Sequence, residues 1–199
     1  MKPEQLRVFQ VLIDLIIPLL GYFLWDWSFY FILLFFVLDY LVASVFSFVK
    51  VRKIVTFRNT GWSFPTKQAV ITVLLISSSV LAAIPALYLI DPAFDLSRET
   101  WNFLAYTEFG FPIPQGFILL PLLAYGGYTQ YKMQFLINGR FTTAQETGVW
   151  KLHFQTACLV LSAAGLFLGI SYMVVFPQEV YALVLTFGVA AYRFFYSRA

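Results

Sequence analysis

Reactive side chains are scarce in this sequence, which holds one histidine, His153, and one cysteine, Cys158. One of each cannot assemble a Cys/His zinc cluster, a CxxC redox pair, an intramolecular disulfide or bis-histidine haem ligation. No GxSxG nucleophile elbow, HExxH motif, phosphate-binding glycine loop or GxGxxG fingerprint occurs. Ser77, Ser78 and Ser79 read as small packing residues, because a serine nucleophile would have only His153 to serve as its base. Charge is scarce as well. Only 12% of the 199 residues are charged, against roughly 25% in soluble domains, too few to cover a water-facing surface. The sequence thus implies no catalytic residue, no metal and no cofactor, and favours a protein that is not an enzyme.

What is abundant is apolar: 60% of the residues are hydrophobic and 20% aromatic, gathered in long runs at 8–25, 29–49, 69–90, 116–137, 149–175 and 180–196. Each run is long enough, at about 1.5 Å per helical residue, to cross a hydrocarbon core of about 30 Å with some tilt. Transmembrane strands would alternate apolar and polar residues, and these runs do not. The fold class expected is all-α, a polytopic transmembrane helical bundle of about six spans forming one domain over 1–199. The first run carries Asp14 and Pro18 and passes through Trp25-Asp26-Trp27 into the second without a small-residue cleavage site. It reads as a retained span.

Basic residues accumulate in cytoplasmic loops. With the N-terminus inside, that side holds Lys2, Arg7, Lys50, Arg52, Lys53, Arg58, Lys67, Lys132, Arg140, Lys151, Arg193 and Arg198, and the outer side only Arg98. The net charge of +3 is therefore an orientation signal placing both termini in the cytoplasm. Spread over several loops, it gives no reason to expect nucleic acid as a partner.

Two connections are more than turns. The outer one, Asp91 to Gln115, contains Trp101, Phe103, Leu104, Tyr106, Phe109 and Phe111, with Asp95 or Ser97 placed to cap a short helix near Leu96. An interfacial helix and a lid over a cavity are both open readings. The inner one, Lys50 to Gln68, mixes five basic residues with Phe57, Trp62 and Phe64, which suits an anionic leaflet or a protein partner. Thr143-Ala-Gln-Glu146 has capping-box spacing for the start of the fifth helix, and Asn138-Gly139 a stop for the fourth. Ile16 to Tyr22 resembles Leu119 to Tyr125, each with a proline third. That match suggests either a three-plus-three inverted repeat or two unrelated proline sites.

Ionisable groups at membrane depth are costly and hence informative. Asp14, Arg193 and His153 all fall toward the cytoplasmic ends of their spans, so Asp14 is expected to pair with Arg193 or His153, to belong to a proton or cation pathway, or to snorkel to water. Asp39 lies near the midplane with no basic residue at matching depth. It is expected either as a neutral acid hydrogen-bonded to Ser78, Ser162, Tyr125 or a carbonyl, as an ion-handling group, or as a partner for a basic group on another subunit. Gly165-Leu-Phe-Leu-Gly169 matches GxxxG. Cys158, Ser162, Gly165 and Gly169 form one stripe, and Ala82, Ala83 and Ala86 another, both expected to pack helices closely within the chain.

The stretch Ile17-Pro-Leu-Leu-Gly-Tyr-Phe-Leu-Trp-Asp-Trp-Ser28, continued through Asp39 to Lys50, together with Trp150-Lys-Leu-His153, resembles a bacterial multi-span membrane family known only as a domain of unknown function. The resemblance covers about a third of the chain and implies a bacterial inner-membrane location without an activity. In that family Glu usually stands where Asp39 does here, and further histidines stand in the third span, which this chain lacks.

The leading expectation is a non-enzymatic integral membrane subunit or assembly partner of a larger complex, with the lipid bilayer and a membrane protein or second copy as its partners. A small proton- or cation-coupled transporter or channel using Asp39 and Asp14 is the alternative. A membrane enzyme or redox protein supplied by a partner or cofactor is the third.

Overall fold

The computed structural model describes residues 3–25, 27–59, 63–105, 115–174 and 176–196, and among them no strand occurs. Eight helices follow in order: α1 Pro3–Leu24, α2 Phe29–Arg58, α3 Ser63–Ile90, α4 Leu96–Ala105, α5 Gln115–Gln130, α6 Arg140–Thr143, α7 Glu146–Met173 and α8 Gln178–Tyr196. A π-helical turn, Tyr131–Leu136, prolongs α5. Three stretches are long and apolar enough to cross a membrane: Phe29–Arg58, Thr66–Ile90 and Glu146–Met173. Val11–Leu24 forms a shorter apolar helix. Leu74, Leu81, Leu166 and Val184 are among the many large apolar side chains that point outward. Such a surface is compatible with lipid, and a soluble monomer rarely exposes it.

α2 is the hub and touches every other helix, while the most extensive single contact is α3 against α7. Its first turns are capped by Ser28, whose hydroxyl accepts from the Phe31 amide at 3.3 Å. There Phe29, Tyr30, Phe31, Ile32 and Phe35 form a buried aromatic-rich core with Trp27, Phe94, Phe103, Leu119 and Tyr181. α4 closes this end. The Asp95 carboxylate accepts from the Ser97 and Arg98 amides, at 2.9 and 3.1 Å, which satisfies donors that a helix start leaves open. Phe103 then faces the core while Trp101 is exposed, and the Tyr30 and Thr100 hydroxyls bond at 2.6 Å. Tyr106, Phe109 and Phe111 lie outside the described residues.

At the other end the long inner connection expected over 50–68 is mostly helix. α2 runs on to Arg58 and stops where Asn59 turns left-handed with φ 54°, its amide donating to the Val55 carbonyl. The basic run did not end the helix because Lys and Arg are good helix formers, and because Val51 and Val55 bury against Trp150 of α7. Trp62 and the Phe64 side chain lie outside the described residues. The capping box is not made either. Thr143 ends α6 and its hydroxyl donates to the Arg140 carbonyl at 3.4 Å, so α7 begins at Glu146 without a side-chain cap from Gln145. Gly139, at φ 63°, turns the chain after the π turn. The two prolines of the expected repeat have unlike surroundings: Pro18 is fully buried, Pro121 exposed.

Candidate functional site

Two features stand out, a polar seam among α2, α7 and α8 and an open groove between α3 and α7. The seam starts from Asp39 and Arg193, which form a salt bridge. This corrects the expectation that Asp39 lacks a partner inside the chain. Asp39 is ten residues beyond the start of α2 and Arg193 fifteen beyond the start of α8, an offset worth about 7 Å at 1.5 Å per residue. Helical side chains lean toward their own N-terminus, so the long Arg193 stem carries its charge back along α8 to the level of Asp39. Depth counted on Cα positions misses that reach. Ser78 and Tyr125 are both exposed, the Ser78 hydroxyl donates to the Leu74 carbonyl, and Ser162 is exposed on α7. The Asp14 side chain lies outside the described residues, and with it the Asp14 pairing to Arg193 or His153.

One turn along the seam the Thr156 and Tyr192 hydroxyls bond at 2.7 Å, joining α7 to α8. His153 is buried and stacks on Tyr40, the rings 5.5 Å apart and 7° from parallel. Trp150 meets the imidazole edge-on. The Tyr40 hydroxyl, His153 Nε2, Trp150 Nε1 and Thr186 Oγ1 are buried without a hydrogen-bond partner among the described residues. At the α4 end the Tyr181 hydroxyl donates to the Val174 carbonyl and accepts from the Phe176 amide, each at 3.2 Å. Polar groups thus recur along one helix junction through most of its length. No three His, Cys, Asp or Glu side chains converge as metal ligands among the described residues.

The groove is of opposite character. It encloses about 890 Å³ and is lined by Pro85, Tyr88 and Leu89 of α3 and by Gly165, Gly169 and Tyr172 of α7. The glycines are exposed, and a Cβ built on either meets nothing within 4 Å. Among the described residues Gly165 and Gly169 therefore do not make the close contact within the chain expected of them, and Ser162 is exposed. Ala86, by contrast, is fully buried, and Ala82 and Ala83 have side chains outside the described ones. Close approach is made instead at Gly21 and Gly127, where no packing role was expected. A Cβ would come within 2.3 Å of the Trp27 ring at Gly21, and within 2.5 Å of Phe46 and 2.9 Å of Val42 at Gly127. The available signal for the first was an aromatic pair at 25 and 27 directly after a glycine-bearing helix end. Comparison with known proteins adds no further constraint: no protein-family model, curated protein or solved structure matches this chain.

Proposed function

We propose that this chain is a non-enzymatic integral membrane subunit whose α3–α7 groove receives a transmembrane helix of a partner, either another membrane protein or a second copy. The observation that carries the reading is the pair of glycines at i and i+4 with open space above them, framed by Tyr88 and Tyr172. In lipid, helices associate through packing rather than through a hydrophobic driving force, and small residues let backbones approach closely. The Asp39 charge supports assembly less than its sequence position suggested, since Arg193 already answers it. The bundle in this reading has six spans with both termini cytoplasmic, supported by twelve of thirteen basic residues falling on one side. A bacterial inner membrane is part of the same reading, resting on the loose sequence likeness around Trp25 to Ser28 and Trp150 to His153 alone.

The test is disulfide trapping in native membranes with Ser162→Cys in a Cys158→Ala background. A discrete adduct of defined mass is expected. Full labelling of the introduced thiol by a lipid-phase reagent with no adduct removes the assembly reading. Reporter fusions at Arg58, Phe103, Ala144 and after Ala199 should read inside, outside, inside and inside; an outside C-terminus defeats six spans.

A second reading, a small proton- or cation-coupled transporter, has one specific observation behind it, the polar seam from Tyr181 through Thr186 and Asp39–Arg193 to His153. Here Asp39→Asn should abolish a proteoliposome proton flux while folding is preserved. Absence of any flux in the unmodified protein sets this reading aside.

A further inference from the structure

Beyond the groove, the basic end of the bundle carries a second feature. α2 is 30 residues long, or about 45 Å, and outruns a hydrocarbon core of about 30 Å by several turns. Lys50, Lys53 and Phe57 fall on one face of that overhang, three and four residues apart. The face is turned toward α6. Phe57 meets the Phe141 ring edge-on at 5.3 Å, and the Lys53 ammonium sits 5.4 Å from the same ring. Arg140 adjoins Phe141 in sequence, and Lys50 lies one turn before Lys53 on α2. The corner is fixed by the Arg58 guanidinium, which donates to the Ala144 carbonyl at 2.8 Å, and by Phe135 of the π turn, 6.4 Å from Phe141.

Lys53 thus sits beside the Phe141 ring, with Arg140 next to that ring in sequence and Lys50 one turn back on the same α2 face, and among the described residues no carboxylate pairs with any of the three. Like charges held together cost free energy unless a counter-anion joins them. An aromatic ring beside lysine and arginine is the usual furniture of the headgroup zone.

From this we infer that Lys50, Lys53 and Arg140 form a binding site for the phosphate of an anionic phospholipid headgroup, with Phe141 and Phe57 lying against the glycerol and upper acyl region. The shared chemistry is a phosphate ester anion, and the site is assigned to the lipid rather than to a free ion because the large apolar Phe57 side chain is exposed beside the cations. The inference rests on the membrane placement proposed above and is independent of the groove.

The experiment is lipid titration onto the purified full chain in neutral detergent, read by native mass spectrometry, with phosphatidylglycerol against phosphatidylcholine. The anionic lipid should bind preferentially. Lys50→Gln, Lys53→Gln and Arg140→Gln should each lower that preference by about fivefold, the contribution of one basic side chain near an anionic leaflet. Lys67→Gln with Lys151→Gln, two exposed basic positions that make no contact with the Phe57–Phe141 pair among the described residues, should leave it unchanged. Lys53→Arg keeps the charge and should retain the preference, which separates lost charge from lost folding. Equal binding of the two lipids, or an equal loss in the Lys67/Lys151 variant, overturns the site. Complete displacement by inorganic phosphate at millimolar concentration overturns the lipid assignment. A broken six-span topology in the fusion assay alongside a retained lipid preference refutes the placement and leaves the corner standing.

Discussion

Gly127 and Gly165 are the same residue on two apolar helices, in opposite surroundings. At Gly127 the α2 side chains Phe46 and Val42 fill the space a Cβ would need; at Gly165 that space is empty. Gly127 belongs to the part of the molecule organised by α2, where an ion pair and an aromatic core hold α1, α5 and α8 in place. Gly165 lines the shallow groove between α3 and α7. A GxxxG motif therefore reports a permitted close approach, and which surface makes it depends on the neighbours. Here no described side chain of the chain makes that approach.

Substitutions separate the two halves. The largest effect is expected at Gly21→Ala, because the new methyl would collide with ring carbons of the buried Trp27. Overpacking of this kind costs about 3 kcal/mol, visible as a lower thermal midpoint in detergent; an unchanged midpoint would mean the α1–α2 corner is looser than described. Arg193→Gln comes next. It leaves the Asp39 carboxylate without its partner, at about 2 kcal/mol, below the range for fully buried pairs since Arg193 is 31% exposed. Adding Asp39→Asn should recover part of the loss, whereas additive losses would dissolve the pair. Tyr30→Phe removes the 2.6 Å bond to Thr100 and should cost about 1 kcal/mol, read as faster proteolysis near α4. Gly165→Ala is smallest and opposite in sign. With no neighbour to meet, the methyl should stabilise the isolated chain by about 0.5 kcal/mol through helix propensity.

Much of the helical layout was readable because continuous apolar runs leave the backbone no alternative to internal hydrogen bonding. Asp95 was legible as a cap because a short acidic side chain before Leu96 has local partners in the amides two and three residues on, those of Ser97 and Arg98. The overhang of α2 was not, because the eye reads a basic run as a loop, while Val51, Ile54 and Val55 within it bury completely. Thr143 misled for a related reason: capping-box spacing was present, but α6 uses that threonine as its own last residue. The pairing of Asp39 depended on the direction in which an arginine stem leans, which residue counting along spans does not capture. Gly21 and Gly127 could not be separated from Gly165 and Gly169 by sequence, since all four sit among apolar residues and differ only in what tertiary packing brings opposite them.

The most direct test of the account is the double variant Gly165→Leu, Gly169→Leu, followed by thermal unfolding of the isolated chain and, with Ser162→Cys added, disulfide trapping in native membranes. If a partner helix fills the groove, the double change should leave the isolated chain's midpoint unchanged or raised, by about 1 kcal/mol from helix propensity, while the trapped adduct disappears. A midpoint lowered to the level of Gly21→Ala, or an adduct formed as before, would contradict the claim that this face is open in the chain and closed by another helix.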